Sequence, residues 1–164
     1  MKPSRGESLA IGFHNKEGRA NGLGAFSRGE LVMVYGRRKP VVAVIEDDAA
    51  LREVLEWLLS GAEYEVVTHE SAESFLEWRG PRAECLVADI RLPGLNGFEL
   101  LRKLARAGNR IPTIFISAFD SVESRDEARA TGAAYLKKPF DSASLIRAIE
   151  EALETALSHS FQSD

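Results

Sequence analysis

The chain has 164 residues, 45% of them hydrophobic, and a formal net charge of −4, so it can bury one ordinary core and we expect one folded domain. Its longest apolar runs are about five residues, whereas a membrane span needs ~20, which excludes a transmembrane helix. No signal peptide is recognisable, and the single cysteine, Cys85, excludes an intrachain disulfide. These features favour a cytoplasmic protein without membrane contact.

The N-terminal part differs in composition from the rest. Residues 1–39 carry eight Lys and Arg against three Glu, a charge of +5 that leaves −9 for the remainder, and they include seven glycines. Without a sustained hydrophobic period, residues 1–38 are typical of a disordered, basic, Gly-rich extension. Their charges neither cluster nor alternate with aromatics, so we expect no direct nucleic-acid binding. An alternative is that translation starts at Met33 and that the upstream residues are not part of the natural protein.

After this extension, short apolar runs alternate with stretches of helical period. The first strand candidate is VVAVI (41–45), and Leu51, Val54, Leu55 and Leu58 follow at helical spacing. The other strand candidates are YEVVTH (64–69), CLVADI (85–90), TIFISA (113–118) and AYLKK (134–138). The other helices are predicted around 71–78, 98–104, 122–130 and 145–153. Five strands that alternate with five helices predict a doubly wound α/β fold with a parallel sheet and right-handed crossovers.

Polar residues follow the strands at the edge where such sheets bind ligands, beyond their carboxyl ends. At the predicted crevice these residues are Glu46, Asp47, Asp48, Asp89, Ser117 and Lys138. Each has an ordinary explanation alone, for example Asp48 as the N-cap of the first helix and Asp89 as the cap of a turn. Crowded carboxylates nevertheless repel unless a cation neutralises them, and hard oxygen ligands suit Mg²⁺. We therefore predict that Asp89 shares Mg²⁺ with the acidic pair and contacts the ammonium of Lys138.

Five stretches resemble successive signatures of the response-regulator receiver family of two-component signalling. They are VVAVIEDD, ALREVLEWLL, VADIRLPGLNGFELL, FISAFD and YLKKPF. The resemblance covers residues 39–157 and leaves 158–164 as a short tail. It implies a single-domain receiver with a flavodoxin-like, five-stranded parallel sheet of order 2-1-3-4-5 and five helices.

The resemblance also implies roles for individual residues. Asp89 is implied as the phosphoacceptor and, with Asp47, as a ligand of Mg²⁺. Glu46 is implied to act mainly through a metal-bound water, and the backbone carbonyl of Arg91 completes the protein ligands. Lys138 is implied to pair with the phosphoryl group across a cis peptide to the following proline.

Switching is implied to involve Ser117 and Tyr135. The Ser117 hydroxyl is expected to donate to the phosphoryl group, and Tyr135 to turn inward as Ser117 moves; the alternative for Tyr135 is a half-buried strand aromatic. The stretch TGAAYLKKPF is one residue shorter between Gly132 and Tyr135 than the usual family pattern. The spacing from Tyr135 to Lys138 is kept, so we expect the lysine to be in place, whereas the shortening bears on the loop before the fifth strand and on the position of Tyr135.

The implied phosphodonor is a sensor histidine kinase or a histidine phosphotransfer protein. Because only SHSFQSD follows the last predicted helix, we expect an unknown downstream protein target, and a switch that is a monomer or weak dimer rather than a turnover enzyme.

One alternative is a degenerate receiver that acts only as an interaction module. Another is a Mg²⁺-dependent phosphatase with an aspartyl nucleophile. That class needs a DxDx(T/V) motif after a first strand, whereas Asp89 follows the third strand and the residue two positions later is Arg91 rather than aspartate. The residues two positions beyond Asp89 and Ser117 are Arg91 and Phe119. Neither has a carboxylate or carboxamide that could orient water for hydrolysis, so we expect a persistent phosphoryl group.

Overall fold

The computed structural model describes residues 38–161, so nearly all of the predicted N-terminal extension and residues 162–164 lie outside the described part. Within that part, five strands alternate with five helices, and the parallel sheet has the order 2-1-3-4-5. The strands are β1 (Val41–Ile45), β2 (Glu65–His69), β3 (Cys85–Asp89), β4 (Thr113–Ser117) and β5 (Ala134–Lys137). The helices are α1 (Ala49–Gly61), α2 (Ala72–Glu77), α3 (Gly97–Arg106), α4 (Val122–Ala130) and α5 (Ser142–Phe161). The flavodoxin-like, doubly wound fold is therefore confirmed.

Alternating strand residues face two separate cores. One core contains Val42, Val44, Cys85, Val87, Ile114 and Ile116, and it is covered by α1 and α5. The other contains Ala43, Ile45, Leu86, Ala88 and Phe115, and it is covered by α2, α3 and α4. Because both faces are covered, β1, β3 and β4 are buried along their whole length. This explains why β1 is apolar at every position and why the polar residues of β3 and β4 stand only at the strand ends. None of the helices in residues 38–161 combines the length and hydrophobicity that a bilayer crossing requires.

Side chains at the helix ends define where the helices start. Asp48 accepts a hydrogen bond from the Leu51 amide, which confirms its predicted role as the N-cap of α1. Two sequence expectations are corrected. In α1, Val54 is 58% exposed, because the buried side of the helix is centred on Leu55 and Leu59. At the other end of the chain, α5 continues to Phe161, so residues 158–161 belong to this helix rather than to the tail predicted at 158–164; neither glycine nor proline interrupts it.

The shortened loop before β5 is a tight turn. Gly132 has φ +75°, a left-handed conformation that glycine adopts without a steric penalty, and the chain enters β5 two residues later at Ala134. On the far side, the Lys138 amide donates to the Ser117 carbonyl at 2.8 Å. The turn is therefore complete before the strand begins, and the register of β5 against β4 is regular, with Ser117 opposite Lys137.

His69 is a buried histidine at the carboxyl end of β2. It is 5% exposed and lies edge-on to Phe75 and Trp78, with ring centroids 5.3 Å and 5.4 Å away. Its Nδ1 is 3.2 Å from the Ser74 hydroxyl, and within the described residues its Nε2 has no hydrogen-bond partner. Burial lowers the pKa of His69 below its ordinary value of 6.5, so the folded protein favours the neutral ring.

This burial predicts an acid-sensitive contribution to stability. The pKa is lower in the folded than in the unfolded state, so the stabilisation is present above the ordinary value of 6.5 and is lost as the pH falls below it. We expect His69→Leu to reduce the decline in the free energy of unfolding between pH 6.5 and pH 5, measured by urea denaturation at each pH. An equally steep decline in the variant would show that other groups cause it.

Candidate functional site

Three carboxylates meet at the carboxyl edge of the sheet. Glu46 directly follows β1 and Asp89 ends β3, and these strands are neighbours, with Ile45 opposite Ala88. One oxygen each of Glu46, Asp47 and Asp89 lies within 4.8 Å of the others. Glu46 is 1% exposed and Asp89 is 7% exposed, while Asp47 faces solvent. The sheet order therefore brings the predicted acidic residues together, at the crevice where the strand order reverses.

Lys138 places an ammonium between two of these carboxylates. Its Nζ lies 2.8 Å from Glu46 Oε2 and 2.6 Å from Asp89 Oδ2. The peptide bond to Pro139 is cis, as predicted. Burial disfavours the charged ammonium, but the hydrogen bonds to Asp89 and Glu46 outweigh it and hold the pKa of Lys138 above its usual value. The contact between Asp89 and Lys138 that the sequence predicted is therefore present.

Glu46 is the most deeply buried charge of the cluster. Burial raises the pKa of its carboxyl, and the hydrogen bonds from Lys138 and from the Asp48 amide, the latter 3.2 Å long, oppose this effect. The nearby charge of Asp89 raises the pKa further. With one ammonium against three carboxylates, the cluster keeps an excess of negative charge, which is the condition for binding a divalent cation.

Asp89 uses both carboxylate oxygens. While Oδ2 contacts Lys138, Oδ1 accepts a hydrogen bond of 2.7 Å from the Arg91 amide. The turn-capping role that was the ordinary alternative is therefore present together with the ion pair. Immediately behind, Gly97 starts α3, and a Cβ at this position would lie 2.7 Å from the Asp89 carbonyl oxygen. Only glycine lets the helix pack this closely against the strand end.

Ser117 ends β4 and is 1% exposed. Its Oγ donates to the Phe119 carbonyl at 3.0 Å and accepts from the Phe119 amide at 3.1 Å. The hydroxyl of Tyr135 donates to the same carbonyl at 2.9 Å. Tyr135 is half-buried, as in the alternative considered for it, and Phe119 connects it to Ser117.

Sequence reasoning missed three contacts around the site. Arg52 donates to the carbonyl oxygens of Glu46 at 2.7 Å and Asp47 at 3.4 Å; its position one turn into α1 is the only signal that could have found it. Glu73 accepts from the Leu95 amide at 2.8 Å and so fastens the loop after β3, and no sequence signal points to it. The third contact is a stack in which the Arg91 Cζ lies 3.4 Å from the centroid of the Phe119 ring.

Comparison with known families decides what this arrangement is. The sequence model of the response regulator receiver domain matches residues 42–150. The chain belongs to the response-regulator receiver family. This confirms the resemblance that the signature stretches of the sequence showed, and the match includes every predicted site residue.

Relatives of this receiver include transcriptional regulators. It is 38% identical to the transcriptional regulatory protein FixJ of Azorhizobium caulinodans over 125 residues, which are 75% of this chain and 59% of that protein. It is 32% identical to the DNA-binding transcriptional regulator NtrC of Escherichia coli over 118 residues, or 71% of this chain and 25% of that protein. The chain therefore spans less than two thirds of these relatives.

Solved structures of receivers match over nearly their whole length. A response regulator receiver protein from Burkholderia phymatum is 38% identical with a TM-score of 0.62, and the match covers 70% of this chain and 95% of that one. The structure described as FixJ-N is 35% identical with a TM-score of 0.66, and the match covers 71% and 95%. Both have the architecture found here.

The residues fit the divalent cation that receivers typically bind. Glu46, Asp47 and Asp89 present hard oxygen atoms within 4.8 Å of one another, and exposed Asp47 leaves the cluster open to solvent. Few carboxylate ligands with room for water are the arrangement that Mg²⁺ prefers.

Proposed function

We propose that this receiver is a phosphoacceptor switch in a two-component phosphorelay. In this proposal a phosphohistidine on a sensor histidine kinase or a histidine phosphotransfer protein donates its phosphoryl group to Asp89. The observation that carries the proposal is the contact of the Lys138 ammonium with both Glu46 and Asp89, at 2.8 Å and 2.6 Å, beside an acidic cluster. A carboxylate held between an ammonium and a cation site is placed to accept a phosphoryl group, because the incoming negative charge is neutralised there.

The transfer is a displacement at phosphorus. An Asp89 oxygen forms a bond to phosphorus while the bond from phosphorus to the donor imidazole nitrogen breaks, and the nitrogen keeps the electron pair. Lys138 moves its contact from the carboxylate to a phosphoryl oxygen and so stabilises the charge that arrives. The product is an acyl phosphate on Asp89.

Mg²⁺ is the proposed cofactor, held by Asp47 and Asp89, by Glu46 through water, and by the Arg91 carbonyl. When bound, it supplies positive charge at the phosphoryl oxygens and aligns the donor. Without that charge, the acidic cluster repels an incoming phosphoryl group. We therefore expect phosphorylation to depend on the divalent cation.

The switch is proposed to start at Ser117. To donate to a phosphoryl oxygen, its hydroxyl must leave the Phe119 carbonyl, which it contacts at 3.0 Å. The carbonyl then keeps only the Tyr135 hydroxyl among the contacts described above, so the loop after β4 and Tyr135 can rearrange together. Phosphorylation thereby shifts the population of a rearranged surface formed by α4, β5 and α5.

We infer that the protein acts through an unknown protein target in the cytoplasm, as a monomer or weak dimer, without direct nucleic-acid binding. Cys85 is buried and unpaired, which fits a reducing compartment. In this proposal the protein is a switch that gains and loses one phosphoryl group, rather than a turnover enzyme. A degenerate receiver that works without phosphorylation is the alternative, and the complete set of Glu46, Asp47, Asp89, Ser117 and Lys138 argues against it.

Phosphotransfer profiling tests the proposal. Each histidine kinase of the host is phosphorylated on its histidine with labelled ATP, freed from ATP, and mixed briefly with this receiver. We expect at least one kinase to lose its label to the receiver within seconds to minutes with Mg²⁺ and to keep it in EDTA. If no kinase or phosphotransfer protein transfers label with Mg²⁺, the interaction-module alternative is the better account.

A further inference from the structure

The turn between β1 and α1 brings two consecutive carboxylates to one point. In an extended strand, successive side chains leave on opposite faces, yet one oxygen each of Glu46, Asp47 and Asp89 lies within 4.8 Å of the others. The backbone allows this by leaving the strand after Ile45 and bending at Asp47. Because the three like charges repel one another, they favour a more open turn, and other contacts have to oppose this effect.

Arg52 supplies donors to three successive carbonyl oxygens of this turn. Its Nη1 donates to the carbonyl of Glu46 at 2.7 Å and to that of Asp47 at 3.4 Å. Its backbone amide donates to the Asp48 carbonyl at 2.9 Å. Carbonyl groups alternate in direction along a strand, so one nitrogen reaches two consecutive carbonyls only where the backbone is bent. The guanidinium therefore matches the bent form of the turn and would lose a partner in an extended form.

The guanidinium of Arg52 acts on the backbone rather than on the carboxylates. Within residues 38–161 its hydrogen bonds go to carbonyl oxygens, and it belongs to none of the ion pairs. Glu46 is 1% exposed, so its carbonyl oxygen has little access to water and needs a donor from the protein. Removal of the guanidinium would leave this buried oxygen without its 2.7 Å donor.

We propose that Arg52 is a positioning residue that holds the turn after β1 in the shape in which Glu46 and Asp47 bind the divalent cation. The inference rests on the proposed function, in which phosphoryl transfer to Asp89 depends on this cation, and it adds a residue outside the ligand set. Groups that orient metal ligands typically contribute a factor of about 10 to 100 to metal affinity. Without the guanidinium, the turn opens toward water as the carboxylates repel one another.

The sign of the effect separates positioning from electrostatics. A guanidinium near a cation site repels the cation, so a role through charge alone predicts that its removal strengthens metal binding. A role through hydrogen bonds predicts the opposite, that removal weakens binding although the site becomes more negative. Arg52→Lys keeps the charge and a hydrogen-bond donor, so it should restore most of the affinity.

The experiment compares the parent with Arg52→Met, Arg52→Lys and Arg79→Met. Methionine keeps a long aliphatic side chain but has no donor. Arg79→Met is the charge-matched control, because the exposed Arg79 guanidinium also donates to backbone carbonyls, those of Leu76 and Trp78, but follows α2 rather than β1. Binding of Mn²⁺ alone is measured by electron paramagnetic resonance and binding of Mg²⁺ alone by calorimetry. Urea unfolding in EDTA records the stability of each variant separately.

We expect Arg52→Met to bind both ions about ten-fold more weakly than the parent, and Arg52→Lys to remain within about three-fold of it. Arg79→Met should bind like the parent. In labelling with acetyl phosphate, the Mg²⁺ concentration that gives half of the maximal rate should rise by the same factor in Arg52→Met. The rate at saturating Mg²⁺ should stay near that of the parent, since the ligands themselves are intact.

Equal or tighter metal binding by Arg52→Met would overturn the proposal, and so would an equal weakening in Arg79→Met. If Arg52→Met does not fold, Arg52→Ala takes its place with the same expectation, because alanine has the highest helix propensity. A parent that binds Mn²⁺ but takes no label from acetyl phosphate or any kinase would overturn the proposed function, while the ratio of affinities would still decide the role of Arg52. A parent that binds neither ion would overturn both.

Discussion

Replacing Asp89 with Asn should abolish phosphorylation. Incubated with acetyl phosphate and Mg²⁺, the parent protein should gain one phosphoryl adduct in its intact mass, whereas Asp89→Asn should gain none. The amide lacks the anionic oxygen that attacks phosphorus, and it removes one of the three oxygen ligands that lie within 4.8 Å of one another.

Asp141→Asn is a matched control for this prediction. Asp141 lies after β5, where its carboxylate caps the start of α5 by accepting from the Ser144 amide at 2.7 Å. The Asp141→Asn variant loses the same charge as Asp89→Asn but leaves the acidic cluster unchanged. It should therefore gain the phosphoryl adduct as the parent protein does. Equal labelling of Asp89→Asn and the parent would disprove the assignment of the acceptor.

The second large effect concerns the metal-free protein, in which the two partners of one ion pair should change stability in opposite directions. Lys138→Met leaves the buried carboxylates without their ammonium, and removal of one partner of a buried pair typically costs about 3 kcal/mol or more. We expect a loss of that size in the free energy of unfolding at pH 7 in EDTA. The loss should shrink as the pH falls through the raised pKa of Glu46, because protonation removes the uncompensated charge.

Asp89→Asn should instead stabilise the metal-free protein, by roughly 1 kcal/mol. At an effective dielectric of ~20, repulsion from each of two carboxylates within 4.8 Å is worth about 3.5 kcal/mol or more, and attraction to Lys138 at 2.6 Å about 6 kcal/mol. The two repulsions slightly outweigh the attraction, and the variant no longer buries an anion at this position. Urea unfolding of both variants checks the signs.

Addition of Mg²⁺ should reverse the order of stability. Ligand binding to the folded state stabilises the parent by mass action, whereas Asp89→Asn has lost a ligand and should gain less. Destabilisation of both Asp89→Asn and Lys138→Met in EDTA would mean that the ion pair, and not the crowding of carboxylates, dominates the metal-free cluster.

The fold was predictable from the sequence because its signals are local and repeated. Runs such as VVAVI are apolar at every position since β1 is covered on both faces, and this also indicates a parallel sheet. The approach of Glu46 to Asp89 followed from topology, because parallel strands end at one edge. Their common contact with Lys138 required only that β5 end at the same edge as β1 and β3.

Other features depend on packing that no sequence period describes. Val54 has the spacing of a buried residue, but the direction in which α1 faces the sheet is set by Leu55 and Leu59. The stack of Arg91 on Phe119 depends on the conformations of the loops after β3 and β4 and on the rotamer of the long Arg91 side chain. Spacing placed these two residues near the site without indicating that they contact each other.

The tight turn before β5 has a consequence for how this chain tolerates changes in length. Gly132 ends the preceding helix on one side, and the bond from the Lys138 amide to the Ser117 carbonyl fixes the strand on the other. A residue lost or gained between Gly132 and Ala134 shifts only the entry to the strand. Deletions in this segment can therefore accumulate during evolution as neutral differences between orthologues, whereas a deletion after Ala134 would displace the lysine from the acidic cluster.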